Sequence, residues 1–351
     1  MSLKQIWQKI FNWELWPFYL IYTPLVFVWL YYFLRTKTFW YFSSVNPTLQ
    51  FSGFEGETKK EMFDQLPIES FPTTIYINPT QKISDVMALM QANNLHFPVA
   101  VKPDIGSKGL CFRKVDNAAA LEKYHTTLPF EYLIQTMIEW PVEVSVFYVR
   151  YPNSTKGKVT GFIAKEYLQV KGNGSSTLLQ LIHNHPKAKH RLDELSIKHA
   201  EHLSDIIPVN EIYFLSITGN HNRGAKFSNL HKEIDENLTA VFDKLSNYSK
   251  HFYYGRFDVK TTSIADLKAG KNFSILEFNG TGAEPNHIYD CNMSYFTAIK
   301  TIATHWKYMY EIGKLNSKNG TSYTSFKDGK KYLSDAFKRY AALEKYDLQI
   351  D

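Results

Sequence analysis

The chain has 351 residues, 44% hydrophobic and 21% charged, with a formal net charge of +6. That balance excludes collagen-like, low-complexity and wholly disordered chains, and leaves room for two or three compact units. No Lys/Arg stripe with interleaved aromatics is present, so nucleic acid is not an expected partner. Two cysteines, Cys111 and Cys291, cannot build a disulfide framework and read as core residues in a reducing compartment.

Aromatic residues make up 16% of the chain and crowd its first fifty positions, although the mean hydropathy is only −0.31. Leu15 to Leu34 carries no charge, with Lys4 and Lys9 before it and Arg35 and Lys37 after it. Twenty such residues are long enough to span a hydrocarbon core as a helix, and Trp and Tyr suit headgroup depth. Pro17 fits a helix start, and Pro24 fits a central kink or the turn of a re-entrant hairpin. The expectation is a membrane-associating helical segment over residues 1–42. A buried core segment is the alternative, and a secretory signal lacks its small-residue cleavage site.

Residues 43–96 read as a connecting region with a short helix, an extended stretch at Ser70–Asn78 and a helix at Ser84–Asn93. From there, strands are expected at 97–103, 110–115, 131–137, 142–151 and 159–170. Asn117 is the expected N-cap of a helix to Tyr124. A glycine turn, Lys171 to Thr177, precedes a helix to His183. Helices are expected at 230–245, 294–307 and 331–346, and strands at 253–261 and 273–279. Irregular alternation of strands and helices gives an α+β class.

Four motifs carry chemistry. Lys102-Pro103-Asp104-Ile105-Gly106-Ser107-Lys108-Gly109 sets a lysine at a strand end before a glycine-bearing loop, which suits phosphate. Gln135-Thr136-Met137-Ile138, followed by Glu143, reads as a strand that stops and restarts, with backbone and apolar side chains for a base and a carboxylate for ribose. Lys165 lies on a later strand as a second phosphate cation. In Arg256-Phe257-Asp258 and Glu277-Phe278-Asn279, alternation points Arg256 with Asp258 and Glu277 with Asn279. If those strands pair, one face gathers two carboxylates, an amide and a guanidinium, a donor set for Mg²⁺.

In this order the motifs resemble the ATP-grasp superfamily, nearest to D-alanine–D-alanine ligase and the ligase module of cyanophycin synthetase. The Gly172-Asn173-Gly174 turn with Thr177 adds to the second likeness. The resemblance implies an ATP-grasp fold, two α+β subdomains clasping ATP: a lid subdomain at 97–185, a metal-binding subdomain at 186–313 and a helical tail at 314–351. It implies that Lys102 and Lys165 bind phosphates and that Gly106, Ser107 and Gly109 cover them. Gln135, Met137 and Ile138 would line the adenine site, and Glu143 would hold ribose. Asp258, Glu277 and Asn279 would bind Mg²⁺, or Mn²⁺ in its place. Arg256, Lys165 and Arg223 would be catalytic, Arg256 by stabilising the acyl phosphate and Arg223 by binding substrate.

The implied activity joins a carboxylate to an amine through an acyl phosphate. ATP binding without turnover, or phosphotransfer to another acceptor, are the alternatives. Relatives carry an N-terminal α/β domain where this chain has only a short stretch after Ser43, so Glu57, Lys59 and Glu284 are the expected substrate contacts. An ATP-dependent enzyme works in the cytoplasm, which places residues after Ser43 there, makes the sequons at Asn153 and Asn279 chance matches and makes membrane lipid an expected partner. None of the histidine pairs has zincin spacing. The oligomeric state stays open.

Overall fold

The computed structural model describes residues 12–219 and 223–350. Lys4 and Lys9 lie outside the described residues. The N-terminal run is not one helix. After a 3-10 turn at Trp13–Leu15, Pro17 sets the start of α1 (Phe18–Tyr22). A second 3-10 turn, Thr23–Leu25, holds Pro24 and leads into α2 (Val26–Thr36). Tyr22, Thr23, Leu25 and Val26 all keep right-handed helical φ and ψ, so the chain continues in one direction. Pro24 therefore lies in a 3-10 turn between α1 and α2, with helical backbone on both sides. The spanning helix is corrected: among the described residues no helix is long and apolar enough to cross a membrane. At 1.5 Å per residue α2 covers about 16 Å, roughly half of a hydrocarbon core.

The chain continues through α3 (Lys59–Phe63), β1 (Thr74–Ile77), α4 (Ile83–Ala92), β2 (Val99–Pro103), β3 (Arg113–Val115), α5 (Ala118–Thr127) and β4 (Tyr132–Thr136). Then come β5 (Val142–Arg150), β6 (Gly157–Glu166), β7 (Gln169–Lys171), α6 (Leu178–Asn184), α7 (Leu192–Lys198), β8 (Ile212–Phe214) and β9 (Lys226–Asn229). Last are α8 (Glu236–Tyr248), β10 (Tyr254–Thr261), α9 (Ile264–Lys268), β11 (Phe273–Asn279), α10 (Tyr295–Lys318) and α11 (Phe326–Asp347). Helix starts follow local chemistry. Asn117 accepts from the Ala120 N–H, and Thr177 forms a reciprocal box with Gln180. The expected strand at 159–170 is two strands, because β6 ends at Glu166 and β7 restarts at Gln169. The strand expected from 110 begins only at Arg113, since Lys108, Gly109 and Cys111 all take left-handed φ.

The described chain divides into two compact units, neither continuous in sequence. One comprises Met1–Phe71, Val144–Ile163 and Asn229–Ala336; the other comprises Pro72–Glu143, Ala164–Ser228 and Phe337–Asp351. In the second, an antiparallel sheet of order β1-β4-β2-β3 packs on Val86, Met90, Leu121 and Tyr124 from α4 and α5. A smaller β7-β8 ladder has its own core of Leu168, Leu178, Ile182 and Leu195. The remaining sheet has the order β11-β10-β5-β6-β9.

The first unit's core is largely aromatic. Tyr41, Phe42, Phe147 and Tyr254 are buried together with Met309 and Ile312 of α10. Ile21 and Leu25 pack with Ile288, Ala298 and Ile302. The inner side of the N-terminal run is thus core, as the alternative reading held, while its outer side is exposed.

Candidate functional site

In the second unit β2 and β3 form a hairpin whose connection, 104–112, is the glycine loop that follows Lys102. Lys102 sits near the end of β2, opposite Leu133. Gly106 and Ser107 open the loop, and Gly109 takes φ +68° at its tip. Lys165 and Glu143 meet directly: Nζ lies 3.3 Å from Oε1, both side chains are buried, and the Tyr167 hydroxyl donates to Oε2. The phosphate cation and the ribose carboxylate of the sequence reading therefore compensate one another. Gly219 makes this approach feasible, because a Cβ there would fall 2.2 Å from Glu143 Oε1.

β4 stops at Thr136 and β5 restarts at Val142 in a different sheet, so Met137 and Ile138 lie on the connection between sheets, half-buried. The Gln135 side chain is tied by its Nε2 donating to Thr74 Oγ1 at 2.7 Å. Arg223 donates to Glu194 Oε1 at 2.6 Å, to Asp347 Oδ2 at 2.9 Å and to the Lys108 carbonyl at 3.2 Å. Its guanidinium holds the glycine loop and the end of α11.

In the first unit β10 and β11 pair antiparallel, with Arg256 opposite Asn279, Phe257 opposite Phe278 and Asp258 opposite Glu277. Directly opposed residues share a face, so Arg256, Asp258, Glu277 and Asn279 lie together and Phe257 and Phe278 bury the reverse side. A bulge follows: Val259 pairs with Ile275, leaving Leu276 as the extra residue. This switches the phase of β11 by one, so Ile275 stays in the core while Glu277 joins the polar face.

A hydrogen-bonded chain orders that face. Asn286 Nδ2 donates to Ser145 Oγ at 3.0 Å, and Ser145 donates to Asp258 Oδ1 at 2.7 Å. Arg256 reaches Asp258 Oδ2 at 3.4 Å and the Glu284 carbonyl at 3.3 Å. The Glu284 carboxylate accepts from the hydroxyls of Tyr22 and Tyr289, so α1 contributes a side chain here. Arg256 Nε and Asn279 Nδ2 have no hydrogen-bond partner among the described residues.

The segment before Glu57 docks on the loop after β11. The N–H groups of Thr281 and Gly282 donate to the carbonyls of Ser52 and Gly53 at 3.1 and 3.0 Å. A Cβ on Gly282 would fall 1.8 Å from the Phe54 oxygen, so only glycine permits the contact. Beyond it the Glu57 Oε2 is buried and has no partner among the described residues. Burial pushes this carboxyl up to about 7, opposed by its own backbone N–H and Lys59, and reinforced by Glu55 and Glu277. Lys59 begins α3, behind the Thr58 cap.

Sequence reasoning missed Ser145, Asn286, Tyr22, Tyr289 and Tyr167. Of these Ser145 had a local signal, a polar residue between Val144 and Val146 on a strand.

No group of three or more His, Cys, Asp or Glu side chains is gathered among the described residues. The polar face offers two carboxylates and an amide, which fits a cation that keeps waters and substrate phosphates as its other ligands.

No family model matches the chain, and no curated protein matches it. Among solved structures it is similar to D-alanine–D-alanine ligase of Bacillus anthracis, with a TM-score of 0.42 and 12% identity over 75% of this chain and 69% of that one. It is similar to D-cycloserine synthetase DcsG, with a TM-score of 0.41 and 12% identity over 70% of this chain and 69% of that one. The bifunctional glutathione synthetase of Pasteurella multocida gives a TM-score of 0.38 and 14% identity over 71% of this chain. The chain spans only 36% of that synthetase's length.

Proposed function

We propose that the chain is an ATP-dependent carboxylate–amine ligase acting on small molecules in the cytoplasm. One observation carries this reading: the β10–β11 register sets Arg256, Asp258, Glu277 and Asn279 on one face. An ordinary salt-bridged sheet has no need of a bulge that turns Glu277 toward Asp258.

In this reading Lys102, Lys165 and the loop at Gly106, Ser107 and Gly109 bind the phosphates, with Met137 and Ile138 against the base. Asp258, Glu277 and Asn279 would hold Mg²⁺, which lowers the charge of the phosphates. The substrate carboxylate oxygen attacks the γ-phosphorus and the bond to the leaving ADP oxygen breaks, giving an acyl phosphate. The acceptor amine then attacks the acyl carbon, the carbon–oxygen bond to phosphate breaks, and the amine loses a proton. Arg256 stabilises the charge that develops on the transferred phosphate and on the tetrahedral oxygen. Glu57, Lys59 and Glu284 contact the acceptor. A carboxyl pushed toward neutrality, as Glu57 is, suits taking up the amine proton.

The test is ADP release by the full chain with MgATP and a panel of amino acids, short peptides and amine-bearing lipids, with mass analysis of products. Asp258→Asn and Glu277→Gln are each expected to lower turnover by roughly 10²–10³-fold in protein that still melts cooperatively. Full turnover in the double variant, or ADP release with every acceptor absent from the product, overturns the reading.

A further inference from the structure

We propose that α1 and α2 form an interfacial dock, lying in the plane of an anionic lipid bilayer with their outer face among the headgroups, and not crossing it. No part of the ligase reading is needed for this. Val26, Phe27, Leu30, Tyr31 and Leu34 are all exposed. Their spacing, i, i+1, i+4, i+5 and i+8, is a single stripe of a helix, and Tyr19 extends the exposed apolar surface onto α1. Phe27 is 77% and Leu34 64% exposed. Contiguous apolar surface of this kind on a folded protein marks a contact site.

The opposite stripe is already committed. Tyr32 stacks on Tyr310 at 4.5 Å between centroids, Trp29 meets Trp306 edge-on at 5.4 Å, and Leu25 is 1% exposed. The inner side of the segment packs on α10, so only its outer side is open to lipid. The segment can lay that side into the headgroup–acyl boundary, where Tyr and Trp rings are stable.

Charge selects the occupant. Arg35 and Lys37, both exposed, end the stripe, and Glu14 is the single acid in the first 54 residues. Glu14 accepts from the Asp290 N–H, so it is already in use. A second copy docking through the same patch would present that surface again, whose segment offers these cations no free acid. Anionic headgroups supply the missing charge.

The experiment is flotation of the full chain with vesicles of phosphatidylcholine alone and of phosphatidylcholine with one-third phosphatidylglycerol. Binding to the anionic vesicles is expected to be at least about tenfold tighter and to weaken with salt. The pair Phe27→Asp and Leu30→Asp is expected to lower it about tenfold or more with an unchanged melting temperature, since both side chains face solvent. Arg35→Gln with Lys37→Gln is expected to remove the preference for the anionic lipid. Equal binding to both vesicle types overturns the proposal. So does a dimer in solution that the Asp pair dissolves, and so does protein retained in membranes after alkaline carbonate extraction.

Discussion

Glu57 is a carboxyl whose chemistry departs from its side-chain type. Its unfolded pKa lies in the usual carboxylate range, and its folded value is pushed up to about 7. Between those values the unfolded chain has lost the proton and the folded chain keeps it. The unfolded state therefore binds fewer protons, and this group's contribution to stability falls as pH rises through that window. His287 acts with the opposite sign: burial, helped by His231, lowers it to about 4, so its contribution is lost as pH falls. The two slopes overlap and mask one another in the parent chain. Glu57→Gln relative to the parent isolates the first: its relative stability is expected to rise by about 3 kcal/mol between pH 4.5 and pH 7 and then level off. Urea melts at several pH values measure it, and a flat difference would mean the carboxyl is not desolvated. The residue types at 57 and 284 were legible as polar groups in a loop. The burial of one and the two tyrosyl donors on the other were not, because Tyr22 is 262 positions from Glu284.

At the scale of elements, a buried amide ties the segment from 43 to 54 to β10. Asn46 donates through Nδ2 to the Tyr254 carbonyl at 2.9 Å and to the Ser52 carbonyl at 3.3 Å. Its Oδ1 accepts from the N–H groups of Tyr253 and Tyr254 at 2.9 and 3.2 Å. That pins the connecting region to the start of β10, and with it the left-handed turn at Phe51 and Ser52 that delivers Glu57. Asn46→Ala is expected to cost roughly 2–4 kcal/mol, since at least two buried N–H groups lose their acceptor. Denaturant melts read this directly, and an effect below one kcal/mol would show that water replaces the amide. Helix starts such as Asn117 and Thr177 were legible because a cap and its partner sit three residues apart. The break between β6 and β7 was not, since β7 pairs with the distant β8, and the late start of β3 was not, since left-handed backbone at Lys108, Gly109 and Cys111 sets it.

At the scale of the molecule, residues far apart in sequence complete the same cluster. Asp347, at the end of α11, accepts from the Cys111 N–H at 2.8 Å and pairs with Arg113 at 3.1 Å and Arg223 at 2.9 Å. Burial alone would raise this carboxyl, but Arg223, the Cys111 N–H, Lys198 and Arg113 together hold it below the usual carboxylate range. Its contribution is therefore present at neutral pH and is lost as pH falls through the folded value. Asp347→Asn is expected to cost roughly 1–3 kcal/mol at pH 7, because Arg113 and Arg223 lose a charged partner while keeping their other acceptors. The cost should shrink toward acid, where the parent's carboxyl is itself protonated. Thermal melts at neutral and acid pH check both statements, and an equal cost at the two would overturn them. Arg223 was legible as a cation near a glycine. Its partner, 124 positions onward, was not.

By itself the sequence determined the chemistry available to each short element. The alternation in Arg256-Phe257-Asp258 and Glu277-Phe278-Asn279, the glycine loop after Lys102, the capping residues and the uncharged aromatic run are all local patterns. Only the tertiary structure decided how they combine. The bulge at Leu276 turns Glu277 toward Asp258, and Lys165 is neutralised by Glu143 across a gap that Gly219 permits. The aromatic run satisfied the length and polarity of a spanning helix just as well as those of a surface helix. Its fate was fixed by α10, far along the chain, which covers one stripe and leaves the other bare. Burial and pairing are properties of what lies opposite a residue, and no local pattern contains that information.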